Sequence, residues 1–140
     1  MQTIDAAAGL VFRQGKLLIT QRPRAAHLGG LWEFPGGKRE AHESFEACLA
    51  RELREELGIE VEVGKLVASL TQAYPEQTVH LRFYRCRWRR HEPRPLGCPD
   101  FKWVGPEELA HYPFPAADAR LLELLRAHSR LWRDKPQGSD

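Results

Sequence analysis

The chain has 140 residues, enough for one hydrophobic core and too few for two domains of ordinary size. Hydrophobic residues make up 42% and charged residues 29%, which excludes a disordered chain. The formal net charge is +2, too small to argue for stable binding to duplex nucleic acid, although 21 basic residues can serve an anionic small molecule locally.

No stretch approaches the roughly 18 apolar residues of a membrane span. Met1 to Leu10 lacks a basic leader followed by an apolar run, so no export signal is expected. Cys48, Cys86 and Cys98 are odd in number and lack C-x-x-C spacing. They read as reduced thiols of a cytoplasmic protein, neither a disulfide set nor a zinc site.

In chain order, Ala6–Phe12 and Lys16–Gln21 are apolar runs separated by Gln14-Gly15, which predicts a hairpin. Pro23–Gly30 is a loop, Leu31–Phe34 a short strand, and Pro35-Gly36-Gly37 a break. Ser44–Leu57 is the strongest helix: Phe45, Leu49, Leu53 and Leu57 recur every fourth residue. Ser44 suits its N-cap and Gly58 its C-terminal stop. Ile59–Leu70 and Thr78–Trp88 are rich in β-branched and aromatic residues and predict two strands around a Tyr74-Pro75-Glu76 turn. Arg89–Pro99 holds three prolines and predicts a loop, Phe101–Val104 a short strand, and Ala116–His128 a second amphipathic helix. The order of strands, helix, strands, helix predicts an α+β domain over residues 1–130, with 131–140 as a flexible tail.

The chemistry concentrates between Gly37 and Ile59. Glu52, Glu55 and Glu56 stand at i, i+3 and i+4, on one side of the helix. Three like charges there repel, and two readings remain open. Either the face is solvated and paired with Arg51 and Arg54, or the carboxylates hold a hard cation such as Mg²⁺ or Mn²⁺. Ahead of the helix, Pro35-Gly36-Gly37 allows backbone to approach a ligand closely.

The segment resembles the Nudix box, G-x5-E-x7-R-E-U-x-E-E-x-G-U with U aliphatic, at every defined position. Here these are Gly37, Glu43, Arg51, Glu52, Leu53, Glu55, Glu56, Gly58 and Ile59. Seven fixed residues at about one in fifteen each, plus two loose ones, make a chance match on the order of one in ten million. The resemblance implies an α/β/α sandwich with a mixed sheet and a loop-helix-loop box. It also implies a divalent metal, Mg²⁺ with Mn²⁺ as substitute, held by Glu52, Glu55, Glu56 and the Gly36 carbonyl. Arg51 would orient a ligand glutamate, and Glu43 would support it.

Beyond the box, Leu17–Pro23, Gly30–Lys38, His80–Tyr84, Trp103-Val104 and Tyr112–Asp118 are similar to the MutT branch, so the likeness runs from about Ala6 to Leu125. That branch hydrolyses nucleoside triphosphates to monophosphate and pyrophosphate by attack at the β-phosphorus. It implies a nucleotide partner, 8-oxo-dGTP above all, with CTP or 5-methyl-dCTP as alternatives. Arg22, His27, Glu33, Phe34, Pro35, Gly36, Tyr74 and Asp118 fall where the branch contacts its nucleotide. The expected state is monomer or dimer.

Two departures stand out. Asp118 replaces an asparagine that reads the base; an ionised carboxylate only accepts hydrogen bonds, and Asp118 can alternatively cap the last helix. Lys102 and Gly97 stand near where the branch carries glutamates, which leaves Glu52, Glu55 and Asp100 open as general base. Two further functions stay open. One is a Nudix hydrolase acting on another nucleoside diphosphate linked to a group X. The other, from a different class, is a module that recognises a damaged base without hydrolysis.

Overall fold

A computed structural model describes residues 2–133. Strand β1, Gln2–Arg13, turns through Gln14 and Gly15 into β2, Lys16–Gln21. Both turn residues are left-handed, with φ of 51° and 78°, so the two-residue connection matches the twist of the strands. Trp32–Glu33 forms β3 and Gly36–Lys38 forms β4. Helix α1 spans Phe45–Leu57, followed by β5, Glu60–Ala73, and β6, Gln77–Arg90. Phe101–Val104 is β7, and α2 spans Ala119–Ala127.

The seven strands form one mixed sheet in the order β3-β2-β1-β6-β5, with β4 on β1 and β7 on β2. β1 runs parallel to β6 from Gln2 opposite Gln77 to Phe12 opposite Arg87, and every other pair is antiparallel. Alternation along β1 sends Ala7 and Val11 to one face and Ala8, Leu10 and Phe12 to the other. The first face meets Cys48, Leu49, Leu53 and Leu57 of α1. The second meets Leu121 and Leu125 of α2 together with Trp132. Because both faces of β1 and β2 are covered, these strands read as unbroken apolar runs, and the layers are α/β/α.

α1 has the ends its sequence predicts. The Ser44 hydroxyl accepts from the Ala47 N–H at 3.0 Å, and Gly58, at φ 69°, donates back to the Arg54 carbonyl.

Three features differ from expectation. Pro35-Gly36-Gly37 does not simply interrupt the chain: Gly36–Lys38 pairs with Ala6–Ala8 of β1. This pairing places Gly36 against the Ala7 backbone so tightly that any Cβ there would collide with the Ala7 carbonyl. The second helix begins as a 3₁₀ turn over Ala116–Asp118 before α2. Order also continues past residue 130. Ser129–Trp132 forms a 3₁₀ turn, and Trp132 is 3% exposed, edge-on to Phe12 at 5.3 Å with its indole N–H on the Leu125 carbonyl. The apolar area of one indole outweighs the polar character of its neighbours. Of the expected tail, 134–140 lies outside the described residues.

Among the described residues no helix is long and apolar enough to cross a membrane. Cys48 and Cys86 are buried free thiols and Cys98 is a half-buried one.

Candidate active site

The buried stripe of α1 fixes which side of the helix faces outward. Arg51, Glu52, Glu55 and Glu56 therefore stand over β4 and the loop that leads into the helix. Arg51 is the hub. Its Nη2 donates to Glu43 Oε1 at 2.6 Å and its Nε to Glu43 Oε2 at 3.0 Å. This bidentate pair holds the Glu43 carboxyl well below the usual carboxylate range, at about 2. Nη2 also donates to the Lys38 carbonyl at 3.1 Å, and Nη1 to Glu55 Oε1 at 3.2 Å. Glu52 lies 3.6 Å from Nη1.

The three helix carboxylates occupy different surroundings. Glu55 is exposed and turned to Arg51. Glu52 lies on Gly37, where any Cβ would collide with its carboxylate. Burial, outweighing the pull of Arg51, raises its pKa. Glu56 is the most enclosed. Burial first, then the charges of Glu33 and Glu52, push its carboxyl up to about 8, although the Gly36 N–H donates to it. Glu56 forms no ion pair among the described residues. Nor do any three His, Cys, Asp or Glu side chains there converge into a ready-made metal cage.

On the opposite face of the sheet lies a cleft of about 700 Å³. Its apolar wall includes Ile4, Ala6, Leu70, Val79, Leu81 and Phe83. Two jaws rise over it: the loop carrying Arg22, His27 and Leu28, and the β5–β6 tip from Tyr74 to Gln77. They touch, with the His27 and Tyr74 rings edge-on at 6.0 Å. Arg22 ties the first jaw down, its Nε donating to the His27 carbonyl at 2.8 Å and its Nη1 to Glu33 at 2.9 Å. Phe34 also borders the cleft but is 5% exposed, stacked on Phe114 at 5.1 Å. Pro35 is not among the lining residues; its carbonyl accepts from the Gly9 N–H at 2.7 Å.

Asp118 enters the cleft from the start of α2. It occupies the N-cap position, yet its side chain makes no capping hydrogen bond. It is 9% exposed, and burial together with the charge of Glu33 raises its carboxyl to about 6. Glu33 thus bears on both Asp118 at the cleft end and Glu56 at the helix end. β4 joins the two regions: Gly36 and Gly37 line the cleft on one side and meet Glu56 and Glu52 on the other.

The loop after β6 closes the far end of α1. The N–H groups of Leu96 and Gly97 donate to the Glu56 carbonyl at 3.1 and 3.0 Å, and a Cβ at Gly97 would meet the Glu56 Cα at 3.3 Å. The Asp100 carboxylate accepts the Phe101 N–H, and Lys102 is exposed on β7. Sequence reasoning missed Lys38, Gln72 and Gln77, which line the cleft. The period-2 alternation of Leu70 and Gln72 on β5 carried that signal for Gln72.

Residues 7–124 match the family model described as NUDIX domain. The chain belongs to the Nudix family. This Nudix protein is 41% identical over 132 residues to the CTP pyrophosphohydrolase of Escherichia coli strain K12, covering 91% of this chain and 94% of that one. It is 42% identical over 82 residues to the 8-oxo-dGTP diphosphatase of Proteus vulgaris, covering 58% of this chain and 73% of that one. A solved MutT from work on Aliivibrio salmonicida and Vibrio cholerae superposes with a TM-score of 0.75 at 31% identity, over 89% of this chain and 97% of that one.

Proposed function

We propose that this single-domain Nudix protein is a Mg²⁺-dependent nucleoside triphosphate pyrophosphohydrolase of MutT type, converting a nucleoside triphosphate and water to the monophosphate and pyrophosphate. The observation that carries this reading is β4. It is shared by a nucleotide-sized cleft and a row of carboxylates, so a base held in the cleft leads its phosphates over Gly36 and Gly37 toward Glu52 and Glu56. The names of the relatives, a CTP pyrophosphohydrolase and an 8-oxo-dGTP diphosphatase, support the same reaction class.

The donor set fits a hard divalent cation. All donors are oxygen, and Glu52 and Glu56 are carboxylates raised first by burial and then by neighbouring carboxylates, a penalty that a cation removes. Glu52, Glu55, Glu56 and the Gly36 carbonyl would hold it. Bound there, Mg²⁺ neutralises phosphate charge and lowers the pKa of a coordinated water. Arg51, locked by Glu43, holds Glu55 by a hydrogen bond and lies beside Glu52. Of the groups left open as proton acceptor, Glu52 lies on Gly37 at the β4 end of the cleft, beside the site where the cation would sit. Asp100 is a poorer one, since its carboxylate already accepts the Phe101 N–H. Arg22, His27 and Tyr74 close over the nucleotide, and Asp118 reads the base.

Base preference is the testable part. Above about pH 6 Asp118 is ionised and only accepts hydrogen bonds, which favours a base presenting an amino group, as cytosine does. The missing side-chain cap bond favours base reading over helix capping. A hydrogen bond to a charged group is worth about 1.5–3 kcal/mol, or roughly ten- to a hundredfold in specificity. The measurement is kcat/KM for 8-oxo-dGTP over that for CTP. Asp118→Asn should shift this ratio several-fold toward 8-oxo-dGTP and remove its pH dependence near 6. A flat ratio with lowered thermal stability would assign Asp118 to the helix instead.

A further inference from the structure

We propose that Arg39 and Asp5 form a brace that positions the Arg51–Glu43 pair, and that Arg39 is a positioning residue for the carboxylates Arg51 holds. The inference rests on the hydrolase reading above.

Arg39 immediately follows β4. Its N–H donates to the Asp5 carbonyl at 2.8 Å, extending the β1–β4 ladder one residue beyond Ala6 and Lys38. Alternation from Gly37, which meets Glu52, puts the Arg39 side chain on the α1 face of the sheet. There its Nη2 donates to Asp5 Oδ2 at 3.0 Å and its Nη1 to the Glu43 carbonyl at 2.9 Å. The guanidinium also lies 5.3 Å from the ring of Phe45, the first residue of α1.

Glu43 is thus held twice. Its main chain is fixed by Arg39, and its carboxylate takes two hydrogen bonds from Arg51 and one from the Glu40 N–H at 2.8 Å. Arg51 returns to the Lys38 carbonyl, so the loop from Lys38 to Ser44 is pinned at both ends. The path runs Asp5, Arg39, Glu43, Arg51, Glu55, each link a hydrogen bond of 3.2 Å or less.

An ordinary surface ion pair would contribute little and could drift. Arg39 differs in two respects. One of its nitrogens serves a main-chain carbonyl of the box, and its Nε is shut away from solvent with no acceptor among the described residues. Neither Arg39 nor Asp5 lines the cleft, so the brace acts on the carboxylates and not on nucleotide affinity.

The test compares full-length wild type, Arg39→Met, Arg39→Lys and Asp5→Asn. Mn²⁺ affinity is read in the absence of nucleotide from the electron paramagnetic resonance signal of free Mn²⁺, and kcat and KM for CTP are read at saturating Mg²⁺. Partners behind a metal-binding side chain typically change affinity or activity by about 10- to 100-fold. Arg39→Met should weaken Mn²⁺ binding and lower kcat by about tenfold, with KM within about threefold of wild type. Arg39→Lys retains the charge pair with Asp5 but cannot also serve the Glu43 carbonyl; it should recover thermal stability without recovering Mn²⁺ affinity. Asp5→Asn should fall in the same direction by a smaller factor, and it serves if the methionine variant does not fold. Unchanged Mn²⁺ affinity and kcat with a lowered melting temperature would overturn the brace, as would a raised KM with normal kcat. A wild type that binds Mn²⁺ without hydrolysing any nucleotide would defeat the hydrolase reading alone, since the Mn²⁺ comparison still judges the brace. A wild type that binds no Mn²⁺ would defeat both.

Discussion

Removing divalent metal with EDTA should abolish turnover, by at least about a thousandfold, and added Mg²⁺ or Mn²⁺ should restore it. The size follows from charge. A triphosphate brings several negative charges to a helix face that already carries Glu52, Glu55 and Glu56. Of the two arginines of the helix, Arg51 is already committed to Glu43, Glu55 and the Lys38 carbonyl. The other, Arg54, adds a single positive charge against that total, so most of the negative charge is left for a cation to neutralise. A bound cation contributes several kcal/mol to such a reaction, and each 1.36 kcal/mol is about tenfold in rate. Steady-state rates across a metal titration give the answer. Undiminished activity in metal-free buffer would remove the metal from the account.

Glu56→Gln should lower kcat by about a hundredfold or more while the fold stays intact. The amide keeps the length and the acceptor for the Gly36 N–H but removes the charge. A second consequence separates this substitution from simple damage. The Glu56 carboxyl lies near 8 in the folded chain against an ordinary 4.5, so between those values the folded protein keeps a proton that the unfolded chain has lost. The stability this provides is complete below about 4.5 and is lost as pH rises through about 8. Metal-free wild type should therefore lose melting temperature as pH rises across that window, and Glu56→Gln should lose less. Activity within threefold of wild type would clear Glu56 of a ligand role. A variant as pH-sensitive as wild type would contradict its burial as a charge.

The parts legible in the sequence are those whose causes are local. α1 announces itself by a four-residue apolar repeat, a serine cap and a glycine stop, and the box falls within its turns. β1 and β2 are apolar on both faces because α1 and α2 cover them. β4 is hidden in the sequence because two glycines signal a break, whereas here Gly36 is what lets the strand lie against the Ala7 backbone. β5 and β6 extend past their apolar segments to Ala73 and Gln77, because pairing with each other carries strand structure into polar sequence. Trp132 stands among polar residues that signal a loose end, yet one large indole is enough to anchor that segment. In the site, Arg51, Glu43 and the helix carboxylates are near neighbours in sequence, so their network could be expected. The convergence of Glu33 on Asp118 and Glu56 joins three distant segments, and no short-range pattern reports it.

Hydrolysis of the bond that yields monophosphate and pyrophosphate is read from its products. Wild type with Mg²⁺ and either CTP or 8-oxo-dGTP, run in ¹⁸O-labelled water, should release nucleoside monophosphate and pyrophosphate in equal amounts. Attack at the β-phosphorus predicts that the label appears in pyrophosphate. Release of orthophosphate and nucleoside diphosphate, or tight nucleotide binding without any product, would contradict the account.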